Sequence, residues 1–232
     1  MIEVVALDGD DTLWHNELQF SMTQDRFREL VEPYAPGADL DERLLAKERV
    51  NLSTYGYGVK SFTLSMVETA IDVSQGRVPV SVIEEILAAG KAMLSHPVEL
   101  LDGVVEAVDA LSGRYSLMVI TKGDLFHQES KLARSGLAER FQRINIVSEK
   151  DIATYQRIIE REGVAPDRFV MVGNSLRSDV LPVAALGGHA VHVPFHTTWA
   201  LEHVEPEEAA RYAFSTISSL FELPALIDAL DR

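Results

Sequence analysis

The run Val4, Val5, Ala6, Leu7 leads straight into Asp8, Gly9, Asp10, Asp11 and Thr12. A short apolar stretch with β-branched residues reads as a buried strand. Residues two apart on an extended chain point the same way. Asp8 and Asp10 can therefore enter one site at the strand's carboxyl end, where open parallel sheets place their ligands. Close carboxylates repel unless a cation or a shared proton sits between them. The pair suits a hard divalent ion, with one carboxylate free to attack phosphorus. An Asp-rich surface turn is the plainer alternative.

Three more strand-like runs follow, each breaking into polar residues. Residues 116–121 end in Thr121, followed by Lys122 and Gly123, with a helix expected over 124–135. A hydroxyl and a glycine between strand and helix offer O–H and backbone N–H groups to a phosphate. Residues 144–148 precede Glu149, Lys150 and Asp151, which open an amphipathic stretch carrying Ile152, Tyr155, Ile158 and Ile159. Residues 168–173 break at Gly173 into Asn174, with Asp179 five residues on. Taken singly, Thr121 reads equally as a turn residue, Lys150 as a solvated helix end and Asp179 as an N-cap.

Taken in order, these four motifs resemble the haloacid dehalogenase-like hydrolase superfamily. The resemblance implies that Asp8 is the nucleophile and Asp10 a general acid/base, that Thr121 holds phosphoryl oxygens, and that Lys150 offsets their charge. Lys122 is a weaker competitor for that electrostatic task. Thr12 is expected to orient the turn and Asp10, and Thr12, Lys122 and Gly123 to contribute to substrate binding. Magnesium is the implied cofactor, on the Asp8 carboxylate, the Asp10 backbone carbonyl and either Asn174 or Asp179. The family usually places an acid where Asn174 stands, and the neutral amide lowers the negative charge of the site. The fold implied is α/β, a doubly wound, Rossmann-like, mostly parallel sheet with a helical cap inserted after the first strand.

The chain's own pattern agrees with an insert. Between residues 16 and 96 helical periodicity replaces the strand runs, with helices expected over 18–34, 38–52, 60–74 and 79–94. Strand–helix alternation returns at Val98, Glu99 and Leu100, followed by a helix over 102–111. The expected division is therefore 1–15 plus 97–232 as catalytic core and 16–96 as cap. Within the cap, Lys60 is the candidate for tuning substrate choice.

With 232 residues there is room for one large core or two modest domains, and a formal charge of −15 argues against a nucleic-acid partner. No apolar run reaches membrane-spanning length and no basic, cleavable leader precedes the first strand, so no membrane partner and a cytoplasmic location are expected. The chain has no cysteine, which excludes thiolate chemistry. His189, His192, His196 and His203 invite a zinc reading but are better read as scattered structural or surface residues. Glu205, Glu207 and Glu208 suit a solvated first helical turn.

Asp10 separates the reactions open to such a site. Phosphomonoester cleavage expels an alkoxide that needs a proton, and hydrolysis of an aspartyl-phosphate needs a base. The expected function is therefore magnesium-dependent hydrolysis of a small-molecule phosphate ester by a monomer or homodimer. Alternatives are a phosphomutase, a 2-haloacid dehalogenase, which Asp10 disfavours, and a non-catalytic binding protein on the same fold.

Overall fold

A computed structural model describes residues 1–231. Among them, β1 (Val4–Leu7), β2 (Ser116–Lys122), β3 (Arg143–Val147), β4 (Phe169–Gly173), β5 (His189–His192) and β6 (Ser215–Thr216) form one sheet, ordered β3-β2-β1-β4-β5-β6. Each pairing is parallel, so the antiparallel edge that a mostly parallel sheet allows is not found in these strands. The chain steps outward from β1 to β3 and then returns to lay β4 on the other side of β1. In a doubly wound sheet, the crevice at such a reversal is where ligands bind.

The period-two rule sorts the strand residues between two hydrophobic layers. Val5 and Leu7 of β1 pack with Leu117, Val119, Val170 and Val172 under α5 (Val104–Leu111). Val4 and Ala6 pack on the opposite face with Met118, Ile120, Met171 and the Tyr155, Ile158 and Ile159 face of α7 (Ile152–Glu162). All four β1 residues are buried. This explains why the strand reads as a continuous apolar run rather than an alternation.

The chain divides into two compact units. One contains Met1–Glu17, Val98–Lys122 and the segment from Gln128 on; the other contains Leu18–Pro97 and Gly123–His127. The second unit is helical: most of α1 (Glu17–Val31), then α2 (Leu40–Tyr55), α3 (Val59–Val73) and α4 (Val80–Ser95). Phe62, Met66 and Ala70 recur every fourth residue on α3 and join Phe27, Leu44, Val82 and Ile86 in its apolar centre. The Asp39 carboxylate N-caps α2 by accepting from the Glu42 backbone N–H at 3.0 Å. Helix α1 ends earlier than periodicity suggests, because Pro33 falls in a 3₁₀ turn over Glu32–Tyr34. Residues 98–100 are not a strand; Leu100 makes an isolated antiparallel bridge to Trp14.

Candidate active site

Asp8 lies one residue beyond β1, and its backbone N–H donates to the Val172 carbonyl of β4 at 2.9 Å. Thr121 is the next-to-last residue of β2, and Asn174 follows β4 directly. Three neighbouring parallel strands thus present these residues at one end of the sheet. Gly9 makes the turn possible: a Cβ there would lie 2.8 Å from Cζ2 of Trp14 and 3.3 Å from Oγ1 of Thr121.

Lys150 stands immediately before Asp151, which caps α7 by accepting from the Thr154 N–H at 2.8 Å. The Lys150 ammonium donates to Oδ1 of Asp8 and, at 2.7 Å, to Oδ1 of Asp179. All three side chains are less than a tenth exposed. Burial raises the Asp8 carboxyl; Lys150 opposes this and Asp179 adds to it, leaving it at about 7. Burial would lower Lys150, but Asp179 and Asp8 carry it above the ordinary lysine range. With Asp8 ionised, one cation between two carboxylates leaves a net negative charge, and a further cation beside Asp8 would favour that ionised form.

The loop after β4 sets Asp179. Gly173 leaves room for it, since a Cβ there would come within 2.2 Å of Asp179 Oδ2. That oxygen accepts from the Ser175 N–H at 3.0 Å. Asp179 is not the helix cap that its spacing allows. Ser175 caps the turn over Leu176–Val180, accepting from the Ser178 N–H, and Asp179 lies inside that turn.

The Thr12 hydroxyl lies 3.3 Å from Asp8 Oδ2 and 3.4 Å from Asn174 Oδ1 and accepts from the Asn174 N–H at 3.1 Å, so it meets Asp8 and the Asn174 loop. Asp10 is held by residues that the sequence reading missed. Its Oδ1 accepts from Trp14 Nε1 at 2.6 Å and Lys131 Nζ at 2.7 Å, and its Oδ2 accepts from Gln128 Nε2 at 2.9 Å. Burial pushes Asp10 up, but Lys131, Trp14 and Gln128 outweigh it, and the carboxyl ends below its usual range. Gln128 also reaches Thr121 Oγ1 at 3.1 Å and the Lys122 carbonyl at 2.6 Å. Both new residues lie on α6 (Leu125–Arg134), three positions apart and so on one face.

The remaining expected residues lie elsewhere. Lys122 Nζ donates to Glu202 Oε1 at 2.6 Å and Ser178 Oγ at 2.9 Å, and its backbone carbonyl accepts from Gln128. Gly123 groups with the helical unit, where Lys60 pairs with Asp124 at 2.9 Å. His192 Nε2 meets the Asn174 carbonyl at 3.1 Å.

No group of three or more His, Asp or Glu side chains among the described residues converges as a metal cluster. The oxygen donors nevertheless suit magnesium. Asn174 Oδ1 has only the Thr12 hydroxyl at 3.4 Å among the described residues, while each Asp179 oxygen already has a close donor. A magnesium ion could be held by Asp8, Asn174 and a backbone carbonyl of the turn, with Asp179 acting through Lys150.

A family model described as haloacid dehalogenase-like hydrolase matches residues 2–187. The chain belongs to the haloacid dehalogenase-like hydrolases. A crystal structure of such a hydrolase from Xanthomonas campestris is 43% identical, with a TM-score of 0.88 covering 99% of this chain and 92% of that one. The glyceraldehyde 3-phosphate phosphatase of Methanothermobacter thermautotrophicus is 31% identical over 122 residues, 50% of this chain and 54% of the relative. The pyrimidine 5'-nucleotidase YjjG of Escherichia coli is 30% identical over 134 residues, 55% of this chain and 56% of the relative. The chain thus matches about half the length of these two curated relatives. No helix among the described residues of this hydrolase is long and apolar enough to cross a membrane.

Proposed function

We propose that this hydrolase cleaves small phosphate monoesters with magnesium through a phosphoryl group carried on Asp8. The observation that supports this most is the asymmetric hold on Asp8. Lys150 takes Oδ1, while among the described residues Oδ2 meets only the Thr12 hydroxyl at 3.3 Å. One oxygen is anchored and the other is left to attack. Two curated relatives named as a phosphatase and a nucleotidase support the same reaction class.

In this reading Asp8 Oδ2 forms a bond to phosphorus as the ester P–O bond breaks, and the leaving oxygen takes a proton from Asp10. Asp10 then takes a proton from water as that water's oxygen attacks the phosphorus, which frees Asp8 and releases phosphate. The arrangement around Asp10 favours the ionised form, which serves the second step. In the first step its proton has to be held against the pull of Lys131. Thr121 orients a phosphoryl oxygen, and Lys150 offsets charge at Asp8. Asp8, Asn174 and the Asp10 carbonyl would hold magnesium, whose charge would further neutralise the phosphoryl oxygens. Residues 1–15 plus 97–232 are assigned to catalysis and 16–96 to a cap, with Lys60 assigned to substrate choice.

Asp8→Asn keeps the shape and removes the attacking charge. Phosphate release from para-nitrophenyl phosphate and a panel of phosphate monoesters should fall to background. Acid-quenched wild-type enzyme should carry one phosphoryl group on the peptide containing Asp8. A folded Asp8→Asn variant with most of its activity intact would end the covalent reading.

A further inference from the structure

Glu202 closes a 3₁₀ turn, Ala200–Glu202, in the segment between β5 and β6. It lies beyond residues 2–187, the stretch that matches the family model. The acids that follow it, Glu205, Glu207 and Glu208, are exposed, whereas the Glu202 side chain is only 14% exposed. Its Oε1 accepts from Lys122 Nζ at 2.6 Å, and its Oε2 accepts from the hydroxyls of Ser175 and Ser178, each at 2.5 Å.

The network has one direction. A hydroxyl has a single proton to give. Ser175 gives its proton to Glu202 and accepts from the Ser178 N–H at 3.0 Å; Ser178 gives its proton to Glu202 and accepts from Lys122 at 2.9 Å. Only an ionised carboxylate can take both hydroxyl protons and the ammonium. Burial opposes that charge, but Lys122 and the two serines pull the carboxyl below its usual range.

Ser175 and Ser178 belong to the loop that carries Asn174 and Asp179. Ser175 also donates its N–H to Asp179, Asp179 accepts from Lys150, and Lys150 holds Asp8. We propose that Glu202 is a positioning residue for the proposed active site: it ties the β4 loop to Lys122 at the end of β2, and so fixes Asn174 for magnesium and Asp179 for Lys150. A surface acid with one ion pair would need none of this directionality. The inference rests on the hydrolase reading proposed above.

Glu202→Gln tests it while keeping size. Both hydroxyls share Oε2 and Lys122 takes Oε1, so an amide can turn its oxygen to the serines or to the lysine, and its NH₂ group then faces donors on the other side and carries no charge to offset Lys122. Outer-shell partners of metal ligands commonly change metal affinity about 10- to 100-fold. Titration of the substrate-free protein with magnesium alone should show binding weakened about tenfold or more, with kcat lowered and thermal stability little changed. Ser175→Ala should weaken magnesium similarly, and the double variant should be no worse than the stronger single one, since both changes break one network. Unchanged magnesium affinity in Glu202→Gln and in Ser175→Ala, beside a wild-type protein that binds magnesium and becomes phosphorylated on Asp8, overturns this inference alone. A wild-type protein that takes up neither magnesium nor a phosphoryl group refutes the hydrolase reading, and this inference with it. If Glu202→Gln does not fold, Ser175→Ala carries the test.

Discussion

Lys150→Met is the most direct probe of the buried charges. Methionine keeps much of the lysine's length and removes the one cation between Asp8 and Asp179, both of which are less than a tenth exposed. Two buried carboxylates would then face each other, and the folded variant must hold at least one proton throughout, whereas Asp8 in the wild type takes one up only as pH falls through about 7. Protonating a carboxyl of ordinary pKa about 4 at pH 7 costs about 1.4 kcal/mol per unit of pH, or about 4 kcal/mol. Breaking a buried ion pair by removing one partner costs about 3–5 kcal/mol, which agrees. At about 2–4 °C per kcal/mol for a chain of this size, Tm should fall by about 8–16 °C in chelated buffer. The sign of the pH dependence is fixed. The extra proton is bound in the folded state and not in the unfolded chain, whose carboxyls are ionised above about pH 5, so the variant gains stability as pH falls. The wild type gains part of the same benefit because its own Asp8 carboxyl is pushed up to about 7, so the deficit should shrink by about 1.4 kcal/mol between pH 8 and pH 6, half of what the variant alone gains. Adding Asp179→Asn removes one of the facing charges and should restore a large part of the lost Tm. Differential scanning calorimetry at both pH values measures all of this. A Tm loss below about 3 °C at pH 8, or a deficit that does not change with pH, would show that the three groups are not a dry, coupled cluster.

Two further substitutions address the proposed chemistry. Lys131→Met removes the cation that holds Asp10 ionised; the base step on the phosphoryl intermediate is common to every ester, so kcat should fall about tenfold or more on alkyl and para-nitrophenyl phosphates alike, with phosphorylated Asp8 accumulating. A loss confined to alkyl phosphates, with no accumulation of phosphorylated Asp8, would place Lys131 in the acid step instead. Asn174→Asp adds negative charge beside Asp8 Oδ2 and should tighten magnesium binding about tenfold, read by calorimetry without substrate. Unchanged affinity would remove Asn174 from the metal site.

The parts of the site that were legible in the sequence are those carried by buried parallel strands. β1 and β4 show as continuous apolar runs because both faces are covered, and the polar residue just past each run falls at the ligand end of the sheet. Asp8 and Asn174 could be located for that reason, and Thr121 because β2, whose next-to-last residue it is, also reads as an apolar run. What escaped notice sits where the usual pattern is reversed. On α6, Leu125 and Phe126 are 59% and 76% exposed, while Gln128 and Lys131 are buried. Periodicity assigns polar residues to solvent, so it places the two groups that hold Asp10 on the wrong side. Glu202 was hidden differently: it stands just ahead of three exposed acids, and only the two serines and the lysine around its carboxylate set it apart. These cases share a cause. A buried charge is tolerated only with partners that satisfy it, and those partners come from distant parts of the chain: Lys131 lies 121 residues from Asp10, and Glu202 lies 80 from Lys122. Residues placed by a strand end can be read locally, whereas residues placed by a charged partner become legible only once the sheet has brought that partner alongside.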